Sequence, residues 1–164
     1  MTELSRIVDQ LEREFDGDPW HGTPLEAILQ GIDAKRAAAR PIAGGHSIWE
    51  LVLHMIGWKD ETTRRLSGAV ARMPAEGDWP AIGEATDERW QETLARLEAS
   101  HRALLQAVKT LPEARLYEAT NDTRSGPLGT GVSYYVLLHG IVQHDVYHAG
   151  QIALLKKHRG SSHG

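Results

Sequence analysis

The chain has no cysteine. Disulfide bridges, thiolate metal sites and a protein-borne cysteine nucleophile are therefore excluded together, and any thiol chemistry here needs a thiol supplied from outside. A basic excess is also missing. The net charge is -4, with Lys/Arg and Asp/Glu mixed along the chain, which leaves no cationic footprint for a phosphate backbone and argues against nucleic acid as a partner. No apolar run approaches the roughly 20 residues needed to span a bilayer, and Met1 to Gln10 is polar and charged where a secretory leader would be apolar. The expectation is a soluble, cytoplasmic protein with no membrane contact. Internal repeats, low-complexity tracts and composition shifts are absent too, so residues 1–164 are expected to form a single domain.

What is present is helical periodicity. With 164 residues and 41% apolar content there is enough material for one core. Leu4, Ile7, Leu11 and Phe15 recur at helical spacing after Thr2 and stop at the turn Asp16-Gly17-Asp18-Pro19. Thr23-Pro24-Leu25-Glu26 predicts a capped start, with Thr23 as N-cap, for a short helix reaching Gly31. A second short turn covers Ala34 to Ala39. Ser47-Ile48-Trp49-Glu50 is another capping-box pattern, and it opens a strong helix toward Leu66 with His54 two turns inside. The Gly- and Pro-rich stretch from Gly68 to Ala85 reads as a long crossover. Thr86 to Leu111 gives a long helix, Asn121 to Gly131 has the composition of a loop, and Ser133 to Lys157 predicts a last helix about 36 Å long. The tail Ser161 to Gly164 is expected to fray. Four long helices with long crossovers and short extra helices amount to an all-α four-helix bundle.

The chemistry concentrates in the last helix. His144 and His148 are four apart, so their imidazoles project from one face, one turn from each other. Such a pair also occurs as ordinary histidines on a half-buried face. Here Ile141, Val142, Ala149, Ile152, Ala153, Leu154 and Leu155 make the helix apolar around much of its circumference. It should therefore be central, where two imidazoles need partners that one metal ion would supply. Two imidazoles alone make a weak site. His54, flanked by Leu53, Met55 and Ile56, is the best third ligand, although a histidine in such a place can instead bond a carbonyl. His21, His46, His101, His139, His158 and His163 lie in loops, at helix ends or at less supported positions and are read as structural or solvated, with His139 the next candidate. Gln151 shares the face of His148 and either orients a ligand or bonds a neighbouring helix. Asp145 and Tyr147 point partly away from the pair and are read as structural.

Three strings carry a family resemblance: Trp20-His21-Gly22, the run from His46 to His54, and the run from Gly140 to Lys157. They resemble the DinB-like (DinB/YfiT) family of metal-dependent enzymes, many of whose members have no assigned reaction. The resemblance implies a four-helix bundle, often a homodimer, with a divalent ion held by one histidine of the second long helix and the His-x-x-x-His pair of the last. Those positions are His54, His144 and His148. It also implies a link to thiol S-transferases that use low-molecular-weight thiols.

Three imidazoles with no fourth protein ligand describe an open site of the catalytic type. Imidazole suits Zn2+ best and leaves Ni2+, Fe2+ and Mn2+ open. Because ligating histidines must be neutral, occupancy should fall as pH drops through roughly 6. The alternatives are a metal-dependent hydrolase and a non-catalytic metal-binding or stress-response bundle. The sequence argues against a zinc protease, because Asp145 stands where His-Glu-x-x-His proteases carry a Glu longer by one methylene. A di-iron bundle is excluded because Glu98-Ala99-Ser100-His101 is a lone Glu-x-x-His.

Overall fold

The computed structural model describes residues 2–123 and 132–158. Six α-helices account for the architecture: α1 (Glu3–Phe15), α2 (Leu25–Leu29), α3 (Ala34–Ala38), α4 (Ile48–Leu66), α5 (Asp87–Thr110) and α6 (Tyr134–Lys157). A 3-10 turn, Glu113–Tyr117, follows α5, and among the described residues the only extended pairing is an isolated bridge between Ala119 and Ser133. None of these helices is long and apolar enough to cross a membrane. The tail Ser161 to Gly164 and most of the loop predicted between Asn121 and Gly131 lie outside the described residues.

The long helices begin where side chains can satisfy the free N–H groups of the first turn. Thr2, Thr86 and Ser133 each accept from a backbone N–H three residues on. At α4 the expected capping box is complete: Ser47 accepts from the Glu50 N–H at 3.1 Å, and Glu50 Oε2 accepts from the Ser47 N–H at 2.8 Å. The predicted Thr23 cap does not form. Pro24 takes the cap position of α2 in an extended conformation with no side-chain bond, and the helix ends at Leu29 instead of Gly31. Its place is set by burial of Leu25, Ile28 and Leu29, which outweighs a cap in so short a helix.

α4 packs against both α5 and α6, and α1 packs against the same two. The bundle is thus a square in which α1 faces α4 across one diagonal. The core divides in two. One cluster gathers Leu25, Trp49, Met55, Trp90 and Ile152 at the α2/α3 end; the other gathers Ile7, Leu104, Leu116 and Leu138 at the opposite end. α4 is the most enclosed element, with fourteen of its nineteen residues buried, so a side chain on it is held to a narrow range of positions. α6 is less central than its composition predicts: Tyr147 is 65% exposed and Leu154 70%.

Candidate metal centre

The groove between α4 and α6 holds three imidazoles. His54 comes from the middle of α4, and His144 and His148 from successive turns of α6; one ring nitrogen from each lies within 4.8 Å of the other two. His54 and His148 are buried, and His144 is half-buried. His54 Nε2 is 2.9 Å from His144 Nε2. Two nitrogens about 2.0–2.1 Å from one tetrahedral ion lie about 3.3 Å apart, so small ring movements fit the set to an ion.

The outer nitrogens decide which atoms are free to ligate. His54 Nδ1 is 2.7 Å from the Asp78 carbonyl oxygen, which can only accept, so this nitrogen carries the proton. His148 Nδ1 donates in the same way to Gln151 Oε1 at 2.7 Å. In both rings the lone pair is therefore on Nε2, turned to the shared centre. This is the arrangement in which a ligating imidazole is oriented by a partner on its other nitrogen. Burial lowers the pKa of His54, and it pushes His148 down to about 4 despite the Gln151 bond. Both rings are neutral at neutral pH, as ligation requires.

The crossover covers the centre. Asp78 also accepts from Trp58 Nε1 at 2.8 Å, and its carboxylate lies 3.2 Å from His54 Nδ1. Trp79 is sandwiched between His46, with ring centroids 3.5 Å apart, and His54, at 4.0 Å. Beside Gln151 opens a mostly apolar groove of about 200 Å³, lined by Ile42, Gly45, His46, Leu51 and Leu154.

Behind His144 lies a buried polar layer with one residue from each long helix: Glu14, Lys59, His101 and Asp145. Lys59 Nζ donates to Asp145 Oδ2, lies 3.6 Å from Glu14 Oε1 and is 3.2 Å from His101 Nδ1. Burial alone would strip the Lys59 proton, but the Asp145 and Glu14 carboxylates reverse the effect and raise its pKa. Burial would raise Asp145, and Lys59 outweighs it, holding that carboxyl below its usual range. Glu14 is pushed well above the usual range by burial and by the Asp145 charge, and burial takes His101 down to about 3. The second Asp145 oxygen, Oδ1, has no hydrogen bond. Nor does His144 Nδ1, which lies 3.5 Å from it.

The remaining histidines stay outside the cluster. His139 sits 3.6 Å from Glu3 and packs against the Tyr135 ring; His158 caps α6; His21 lines a separate surface groove; His163 lies outside the described residues. His101 is a core residue, stacked on Phe15 at 3.9 Å, while Glu98 pairs with Arg102 at the surface, so the two do not converge on one ion. Tyr147 faces outward. Gln151 bonds His148 on its own helix and not a neighbour. Asp78, Trp79 and Lys59 had no signal in the spacing: the first two stand in an aperiodic crossover, and Lys59 reads as a surface charge. Trp58, one turn after His54, was within reach of the helical pattern.

No curated protein and no solved structure matches this chain. A family model does: that of the DinB superfamily, over residues 20–152. The match takes in α2 through most of α6, and with them every residue of the three-histidine cluster. An all-helical bundle, a histidine from α4 facing a pair on α6, and a match of that extent place the chain in the DinB superfamily.

Proposed function

We propose that this chain is a metal-dependent enzyme that holds one divalent ion on His54, His144 and His148 and activates a small nucleophile at the ion's open position. The observation that carries the reading is the pair of Nδ1–H bonds to the Asp78 carbonyl and to Gln151, which leave two Nε2 lone pairs directed at the centre. Zn2+ is the ion best matched to three neutral imidazoles. When bound, such an ion lowers the pKa of a coordinated water or thiol and stabilises the resulting anion. The protein's own part is to orient the rings, to keep His54 and His148 neutral by burial, and to shield one side with the Trp79 indole.

An exogenous low-molecular-weight thiol is the nucleophile we favour, in an S-transfer to an electrophile. The chain has no cysteine to compete for the ion, and the groove beside Gln151 is small and largely apolar. We further propose a cytoplasmic homodimer of single-domain chains. Thiol consumption against a panel of electrophiles, followed with Zn2+-loaded protein and with His148→Ala, tests the activity. The expected result is turnover that needs both thiol and His148. Equal rates for the two proteins would refute the transferase reading. Turnover without thiol would assign a hydrolase, and metal uptake with no turnover a binding protein.

A further inference from the structure

The side of α6 turned away from the metal centre carries a second concavity. Val146 and Gly150 each stand two residues from His148, which at 3.6 residues per turn is about 200° around the helix. Both line a groove of about 750 Å³ between α6 and the short α2, against about 200 Å³ for the groove beside Gln151. Its floor is apolar: Ile28 and Ala149 are buried, and Ala27, Val146 and Ala153 are half-buried. Small residues on facing helices usually let the backbones close in. Here the space stays open, since nothing lies within 4 Å of where a Cβ on Gly150 would stand.

One end of the groove is cationic, lined by Arg36, Lys156 and Lys157. Lys156 Nζ donates to the Gln30 carbonyl at 2.7 Å, and Arg36 Nη2 donates to the Lys156 carbonyl. These acceptors are neutral. Most Lys and Arg side chains of this chain pair with a carboxylate. Among the described residues Lys35, Arg36, Arg89, Lys156 and Lys157 do not, and three of those five meet at this groove. The C-terminus of α6 offers them only about half a negative charge, which three cations exceed. At the other end stand His21 and Thr23, ahead of α2. The Trp20-His21-Gly22 string, to which the metal centre gives no role, thus places its histidine here.

We propose that this groove binds a small amphiphilic carboxylate, with its acyl chain on the floor between α2 and α6 and its head group at Arg36, Lys156 and Lys157. The argument for that occupant is charge complementarity joined to shape. The volume falls within the range of small-molecule sites, which are mostly apolar with a few convergent polar groups. From Val146 to Lys157 the α6 wall runs roughly 16 Å, long enough for an extended chain to lie along it. Removing the chain's methylenes from water supplies the affinity, and the planar guanidinium of Arg36 matches a carboxylate in geometry. An inorganic anion would leave the floor in water, and an uncharged lipid would leave the three cations uncompensated. The site is independent of the metal centre, because none of the groove's lining residues is one of its three histidines.

Decanoate below its micellar concentration is the probe; decanol carries the same tail without the charge, and acetate the charge without the tail. Each is titrated into the full chain, Zn2+-loaded and metal-stripped, while the signals of isotope-labelled alanine methyl groups are followed by NMR. Gly150→Leu fills the trough, and Arg36→Gln combined with Lys157→Gln removes two of the charges; circular dichroism checks that both variants fold. The expected result is saturable decanoate binding tighter than about 1 mM in both metal states, with shifts centred on Ala27, Ala149 and Ala153. Affinity should fall about tenfold or more in each variant and for decanol, and acetate should not bind measurably. No saturable binding below that concentration, shifts centred on other alanines, or unchanged affinity in folded Gly150→Leu overturns the site. Binding only to the Zn2+-loaded form overturns it too, by placing the carboxylate on the metal. Decanol or acetate binding as tightly as decanoate overturns the assignment of an amphiphilic carboxylate.

Discussion

Gln151 and the Asp78 carbonyl perform the same task on two different imidazoles, each fixing a proton on Nδ1 so that Nε2 is left to ligate. His144 is the ring without such a bond, and the atom facing its Nδ1 is the unbonded Oδ1 of Asp145 at 3.5 Å. Ligation through Nε2 would put the proton on Nδ1 and give the Asp145 oxygen a donor. Gln151→Leu and Asp145→Asn should therefore each weaken metal binding by about 10–100-fold, as read by titration with Zn2+ on variants whose circular dichroism shows them folded. Undiminished affinity in both would mean that these contacts do not act on the centre. Burial also moves the pH dependence. An ordinary histidine competes for protons near 6.5, whereas His148 does so only at about 4 and His54 below its usual value. A lowered pKa keeps these two ligands neutral into acid, so occupancy should persist through pH 6, where the sequence alone predicts loss, and fall as pH approaches about 4, where His148 takes up its proton. Metal content against pH checks this, and loss with a midpoint above 6 would contradict it.

At the scale of elements, the centre depends on the crossover after α4 as much as on the helices. Glu61 fastens that crossover: its carboxylate accepts from Arg64 and Arg65 on α4 and from the Arg72 backbone N–H at 2.8 Å. Burial would raise the Glu61 pKa, but these donors overcome it and hold the carboxyl below its usual range. The stabilisation is thus present at neutral pH and lost as pH falls through the low folded-state pKa. Gly57 helps from the other side, where a Cβ would come within 3.0 Å of Pro74. Glu61→Ala leaves the buried Arg65 without its nearest carboxylate and should cost about 3–5 kcal/mol. It should also weaken metal binding, because Asp78 and Trp79 are carried by the same segment. Chemical denaturation and metal titration on the one variant check both, and a variant with wild-type affinity would separate the crossover from the site.

For the molecule as a whole, the two halves of the core meet at the layer of Glu14, Lys59, His101 and Asp145, so each long helix contributes one side chain to the region behind the centre. The helices and the three imidazoles were readable in the sequence because both follow helical periodicity: four residues between His144 and His148, a capping box two turns before His54. The buried layer was not, since a single charge on each of four helices looks like a surface residue until the helices are packed. Nor was the outward turn of Leu154, because an apolar residue on an apolar helix carries no mark of which side meets the core. Asp78 escaped for a third reason: it acts through its carbonyl, which every residue has. The central claim is that these elements assemble one metal site from three histidines. Elemental analysis after Zn2+ loading and desalting, run on the wild type and on His54→Ala, His144→Ala and His148→Ala, tests it most directly. The account predicts about one ion per wild-type chain and nearly none in each folded variant; full occupancy in all three variants, or none in the wild type, would contradict it.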